Sequence, residues 1–211
     1  YLQRLFFDKG TPGLTAIKKA RRYTAASYLD AIHQYPEFWE SMRPKMAKVK
    51  NLGPEIERGI EQLKDLYPEL SPAKVYFTVG ALRTNGTAMD SLVLIGSELA
   101  MGDSSTVTKE LPASFDYLRT YFDGNPVEDI VFLNVHEYVH TQQSTHGGYD
   151  LLSQCLFEGI AEFIPVVAMG KASPTPAIAY GKAHDAAVQA AFVKEMFSPF
   201  YNNWIWNSAN N

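Results

Sequence analysis

The run Ile130-Val131-Phe132-Leu133-Asn134-Val135-His136-Glu137-Tyr138-Val139-His140 sets two histidines four residues apart inside an otherwise apolar stretch. Wound as a helix, positions four apart lie ~40° from each other, so both imidazoles leave the same side. Glu137 falls ~100° from His136 and ~60° from His140 on that wheel. It can therefore reach a water on a metal held by the histidines without being a ligand itself. Val131, Phe132, Val135 and Val139 fill one flank of the histidine face, Ile130 and Leu133 fill the other, and Asn134, Tyr138 and Thr141 form a wet stripe. A helix so wrapped in protein keeps His-Glu-His on its buried side only if those groups are paired or coordinated. The sequence places this helix from Pro126, with Glu128 and Asp129 suiting its positive N-terminal end, to about Gln143.

The next segment repeats the argument. Gly147-Gly148 breaks the chain, Asp150 is a good N-cap, and a helix is expected from Leu151 to about Ala168. Glu158 and Glu162 stand four apart on one face of it, amid Leu151, Leu152, Cys155, Phe157, Ala161 and Phe163. Two acids in that company need a positive group beside them, and a divalent cation held by His136 and His140 supplies it. The 17 residues between His140 and Glu158 let the chain turn and return antiparallel, with Gly159 allowing close approach. Catalytic zinc takes three protein ligands and keeps one open position, so the histidines need one further donor. A di-iron reading of Glu137-x-x-His140 fails, because no other histidine has a glutamate three residues before it.

The rest of the chain reads as scaffold. Helices are expected over Ala16–Tyr35, from Pro36, and from Gly53-Pro54 with Ile56, Ile60, Leu63 and Leu66 on one face. Lys74–Val79 and Ser91–Ile95 read as strands, Asn85-Gly86 as a turn, Met101–Pro112 as loop and Ala177–Met196 as a last helix. The expected architecture is one α+β domain over residues 1–211: a helical part (1–70), a small sheet (about 74–96), metal-site helices (about 126–168) and a C-terminal helix (about 177–196). A net charge of −4 speaks against nucleic acid as a partner. No stretch reaches the ~18 uninterrupted apolar residues of a membrane span, since Glu162 and Pro165 interrupt the richest one. Cys155, the single cysteine, is expected to pack.

His-Glu-x-x-His followed by Glu158-Gly159-Ile160-Ala161 on the next helix resembles the gluzincin metallopeptidases, above all the aminopeptidase-N-like arrangement. The spacer here is one residue shorter than is typical there. Residue order is more similar to a bacterial group of predicted zinc-dependent proteases that includes proteins like the gliding-motility lipoprotein of Bacteroidetes (GldB-like). The resemblance covers about Asp129 to Ile164. It implies a zincin fold, zinc as cofactor, His136, His140 and Glu158 as ligands, Glu137 as general base, and Glu162 as the carboxylate that orients a ligand histidine. The competing assignment exchanges Glu162 and Glu158.

The activity so implied is hydrolysis of a peptide or protein substrate by a metal-activated water, with a further group steadying the oxyanion. Tyr180 ranks first for that role, before Tyr149, His146 and His184, and Ser91–Ile95 is the strand edge along which a peptide would pair. The rival expectation is a catalytically silent protein of the same fold that binds a protein partner at the cell envelope. Both readings favour an extracytoplasmic location.

Overall fold

The computed structural model describes residues 1–124, 129–144 and 148–205. A π-helical turn over Gln3–Phe7 leads into α1 (Pro12–Arg21), α2 (Ala25–Gln34), α3 (Pro36–Met46) and α4 (Gly53–Leu66). The stretch expected as one helix from Ala16 to Tyr35 is thus two. Arg22 closes α1 in the left-handed region (φ 54°), and Thr24 caps α2, its side chain accepting from Ser27 N–H while the Ser27 hydroxyl accepts from Thr24 N–H. That reciprocal cap, with burial of Tyr23 between the helices, outweighs a run of good helix formers. Pro36 and Pro54 stand in first turns, where a missing N–H costs least.

Three strands follow: β1 (Lys74–Thr78), β2 (Gly86–Met89) and β3 (Leu92–Gly96), in the order β1-β3-β2. β3 runs parallel to β1, with Tyr76 opposite Leu94, and antiparallel to β2, with Gly86 opposite Ile95. The stretch Ser91–Ile95 expected at an edge is therefore the central strand, and β2 is an edge. The hairpin turns at Asp90-Ser91, where Asp90 takes φ 53°, and not at Asn85-Gly86. Asn-Gly is the stronger turn signal in isolation, but here Asn85 lies ahead of β2 and its carboxamide oxygen accepts from Gly86 N–H.

Successive residues of β3 face opposite sides of the sheet. Val93 and Ile95 join Phe38, Met42, Leu63, Leu118, Phe122, Ile130, Val135 and Val139 in the larger core. Leu94 joins Phe7, Leu14, Ile17, Tyr23 and Tyr28 in the other. A strand covered on both faces reads as continuous apolar sequence, as Leu92–Ile95 does.

The chain continues through α5 (Ser97–Ala100), a turn-rich stretch, and α6 (Asp116–Asp123). Then come α7 (Ile130–His140) and α8 (Leu151–Met169). The expected start of α7 at Pro126 and Glu128 lies outside the described residues. Asp150 caps α8 by accepting from Ser153 N–H, and the carbonyls of Ser198 and Met196 accept from Leu151 and Leu152 N–H. Pro165 does not interrupt α8, which at 19 residues is long and apolar enough to cross a membrane by length and composition alone. Here it packs on α4 and α7.

The close approach expected at Gly159 occurs elsewhere. A Cβ on Gly159 would meet nothing, whereas one on Gly59 of α4 would lie 2.9 Å from a methyl of Val135. The expected last helix is likewise two, α9 (Pro176–Ala183) and α10 (Asp185–Glu195), broken at His184, with α11 (Asn202–Ile205) beyond. The architecture is mixed α+β, dominated by helices.

Candidate metal centre

α7 lies among α4, α8, β2 and β3, so nearly its whole circumference meets protein. The wet stripe expected at Asn134 and Tyr138 is buried instead. Asn134 donates to the Ile130 carbonyl at 2.7 Å, and the Tyr138 hydroxyl accepts from Ala73 N–H and donates to the Ser71 carbonyl. The Asn134 amide nitrogen and the Tyr138 hydroxyl are buried on this face because they find backbone partners, which periodicity alone does not reveal, while Asn134 Oδ1 meets no hydrogen-bond donor among the described residues.

His136 and His140 project from α7 toward α8, their rings 4.9 Å apart and nearly perpendicular. Pairing runs in opposite senses along the two helices: His136 meets Glu162, His140 meets Glu158, and Gln143 meets the Phe157 carbonyl. The helices are therefore antiparallel.

Three donor atoms converge. His136 Nε2 and His140 Nε2 are 3.2 Å apart, Glu158 Oε2 is 3.3 Å from His140 Nε2, and it is 3.7 Å from His136 Nε2. Donors ~2.0–2.2 Å from a tetrahedral ion stand roughly 3.3–3.6 Å apart, so the edges of this triangle come within about 0.1 Å of those of a three-ligand zinc site. The outer nitrogens are already engaged. His136 Nδ1 is 3.0 Å from Glu162 Oε2, and His140 Nδ1 is 2.7 Å from Gln143 Oε1. Both face oxygen acceptors, so both carry hydrogen, and each neutral imidazole turns an Nε2 lone pair inward. Two such lone pairs and a carboxylate oxygen at these distances repel one another unless a cation lies among them. Either a proton or a metal ion can fill that role.

The electrostatics of the metal-free site show the proton solution. Burial opposes charge on His136, but hydrogen bonds to Glu158 and Glu162 and the charge of Glu137 outweigh it and lift its pKa to about 10. Burial likewise pushes the Glu158 carboxyl up, and hydrogen bonds from His136 and His140 reverse this and hold it down at about 2. Glu162 is also lowered: burial opposes its charge, and His136, Ser173 and Thr175 overcome that. Its Oε1 accepts from the hydroxyls of Ser173 and Thr175, which leaves Oε2 for His136.

Glu137 stands apart from the triangle and is only 7% exposed. Burial raises its pKa, the two histidines pull it down, and Glu158 pushes it up again. Its carboxylate lies against Gly86 at the start of β2, where a Cβ would come within 2.6 Å of Oε1. Arg21 anchors that point, its Nη2 donating to the Gly86 carbonyl at 3.3 Å and to the Thr84 hydroxyl at 3.1 Å.

The structure thus brings His136, Glu137, His140, Glu158 and Glu162 together, with Glu158 at the inner edge of both rings and Glu162 at the outer edge of one. Tyr180 is 61% exposed with its ring stacked on His184, and no described contact takes either to the cluster. Tyr149 is exposed, and His146 lies outside the described residues. Gln143, Ser173, Thr175, Arg21 and Gly86 escape a reading of the sequence. Gln143 sits three residues beyond His140, a helical neighbour, and is the one that spacing could have flagged.

A family model described as gliding motility protein GldB matches residues 6–206. Neither a curated protein nor a solved structure matches the chain.

Proposed function

The chain belongs to the gliding motility protein GldB family, and from that premise we propose that it serves gliding motility as an envelope-associated factor built around a zinc centre. The family is one of gliding-motility lipoproteins, and the chain is accordingly associated with the cell envelope. The observation that carries the metal centre is the triangle of His136 Nε2, His140 Nε2 and Glu158 Oε2 at 3.2, 3.3 and 3.7 Å. Those three residues would hold the ion, and Glu162 would orient His136. An ion held there would join α7 to α8, beside the buried Glu137 that lies against Gly86 at the start of β2. In this reading the site shapes a surface that engages an envelope protein partner.

A second reading is peptide hydrolysis on a zincin-type fold, and the placement of Glu137 favours it. The carboxylate is buried beside the histidines, is not one of the three donors, and abuts an edge strand. Zinc supplies a Lewis acid and a water of lowered pKa in such sites. Glu137, its pKa raised by burial, would take a proton at its carboxylate and pass it to a leaving amine. The outer edge of β2 would align the backbone of an extended peptide.

One experiment separates the readings. Zinc content of the purified chain is measured by elemental mass spectrometry for wild type and His140→Ala, and gliding is scored in cells that carry each form or Glu137→Gln. The envelope-factor reading expects about one zinc per chain, loss of zinc and gliding in His140→Ala, and normal gliding in Glu137→Gln. Loss of gliding in Glu137→Gln with zinc retained favours hydrolysis. A wild-type chain without zinc, even after incubation with the ion at neutral pH, overturns both.

A further inference from the structure

We infer that Gln143 is a positioning residue for the metal centre: it fixes the tautomer and ring angle of His140 and ties both to the backbone beside Glu158. This rests on the metal centre proposed above. The Gln143 side chain bridges two elements. Its Nε2 donates to the Phe157 carbonyl at 2.8 Å, which settles the orientation of the amide. Its oxygen must then face His140 Nδ1, 2.7 Å away, and can only accept. His140 is held with hydrogen on Nδ1 and a lone pair on Nε2, the atom aimed at Glu158 and His136.

The anchor is the carbonyl of the residue immediately before Glu158. One amide therefore sets the separation between the end of α7 and the turn of α8 that presents the third donor. The Phe157 ring completes the clamp by stacking on the His140 imidazole, 4.6 Å between centroids and 20° from parallel. The two histidines thus receive different outer partners: a carboxylate on His136, which strengthens its basicity, and a neutral amide on His140, which orients it without added charge. A site served by one carboxylate and one amide carries less negative charge than one served by two.

The test compares wild type with Gln143→Ala, Gln143→Leu, which keeps bulk without polarity, and Gln143→Glu, which keeps an acceptor. Zinc affinity is read by competition with a chromophoric chelator, and the His140 Nδ1–H signal of the metal-free protein by nitrogen-15 NMR. The expected result is a Kd roughly 10–100-fold weaker in both Ala and Leu variants, as for other partners of ligand histidines, with recovery toward wild type in Gln143→Glu. The Nδ1–H should be slow to exchange in wild type and lost to exchange in Gln143→Ala. Equal zinc affinity in wild type and Gln143→Ala overturns this role and leaves the metal centre standing. Weakening by Gln143→Glu as severe as by Gln143→Leu overturns the tautomer-fixing half of the role, since an acceptor for His140 Nδ1 would then count for nothing without the tie to Phe157. A wild-type chain that shows the protected Nδ1–H yet takes up no zinc overturns the metal centre, and the role with it.

Discussion

Glu137 and Gly86 meet so closely that a single methyl group on the glycine would come within 2.6 Å of the glutamate Oε1 and 3.0 Å of its Cδ. Any side chain at the start of β2 larger than hydrogen would require the Glu137 carboxylate to shift. Gly86→Ala should force the carboxylate from its place without touching a donor of the triangle. Zinc stoichiometry should hold while the melting temperature falls by an amount corresponding to about 1–3 kcal/mol. Calorimetry beside elemental analysis checks it, and zinc loss in this variant would place Glu137 among the donors.

The pair of acids on α8 should separate by severity. Glu158→Gln removes a donor that faces both histidines, and the purified variant should keep no zinc after dialysis. Glu162→Leu leaves the triangle intact and removes the acceptor for His136 Nδ1, so zinc should bind roughly 10–100-fold more weakly. The reverse order would mean that Glu162 is the third donor.

A metal ion in the triangle would compete with a proton for the same place. In the metal-free chain His136 has a pKa of about 10, raised above its unfolded value near ~6.5, so its contribution to stability is present in full below ~6.5 and lost as pH rises through about 10. Glu158, depressed to about 2, contributes fully above its unfolded value of ~4.3 and loses that contribution as pH falls through about 2. Melting of the metal-free protein should therefore be highest near pH 5–6 as far as this cluster is concerned, and should decline toward pH 10. Zinc added at pH 8 should release about one proton per chain, from His136, measurable with an indicator dye. Zinc uptake without proton release would show that His136 is not protonated there.

Two glycines on neighbouring helices should respond in opposite ways. Gly59→Ala in α4 pushes a methyl to within 2.9 Å of Val135 and 3.1 Å of Val131, and crowding should exceed the gain in helix propensity for a net loss of about 1–2 kcal/mol. Gly159→Ala in α8 meets open space and should stabilise the chain by about 0.5–1 kcal/mol. Urea denaturation of both variants gives the signs directly.

Glu98 is a buried carboxylate that accepts from the N–H groups of Gly80 and Leu82, each at 2.8 Å, and so holds Ala81 and Leu82 in the left-handed region at φ 48° and 62°. Glu98→Gln turns one acceptor into a donor facing an N–H. It should cost about 1–3 kcal/mol, read by chemical denaturation, while a neutral result would mean that the loop holds its shape unaided.

The division between local and long-range information runs through single residues. Helical period alone puts His136 and His140 on one side of α7 and Glu158 and Glu162 on one side of α8, and Asp150 marks its own helix start. Each depends on residues within a turn or two in the chain. Which carboxylate meets which edge of which imidazole depends on how far α8 slides along α7, and that is set by Gln143, Phe157, Ser173 and Thr175. The strand β2 was hidden because Gly86-Thr87-Ala88-Met89 has little strand character of its own and is held by pairing to β3. Asn134 and Tyr138 looked wet because their polarity is visible in the sequence and their backbone partners, Ile130 for one and Ser71 and Ala73 for the other, are not. Local chemistry thus fixes what each helix presents, but the spacing of the triangle needs contacts between residues far apart in the chain, because only packing brings their atoms to hydrogen-bond distance.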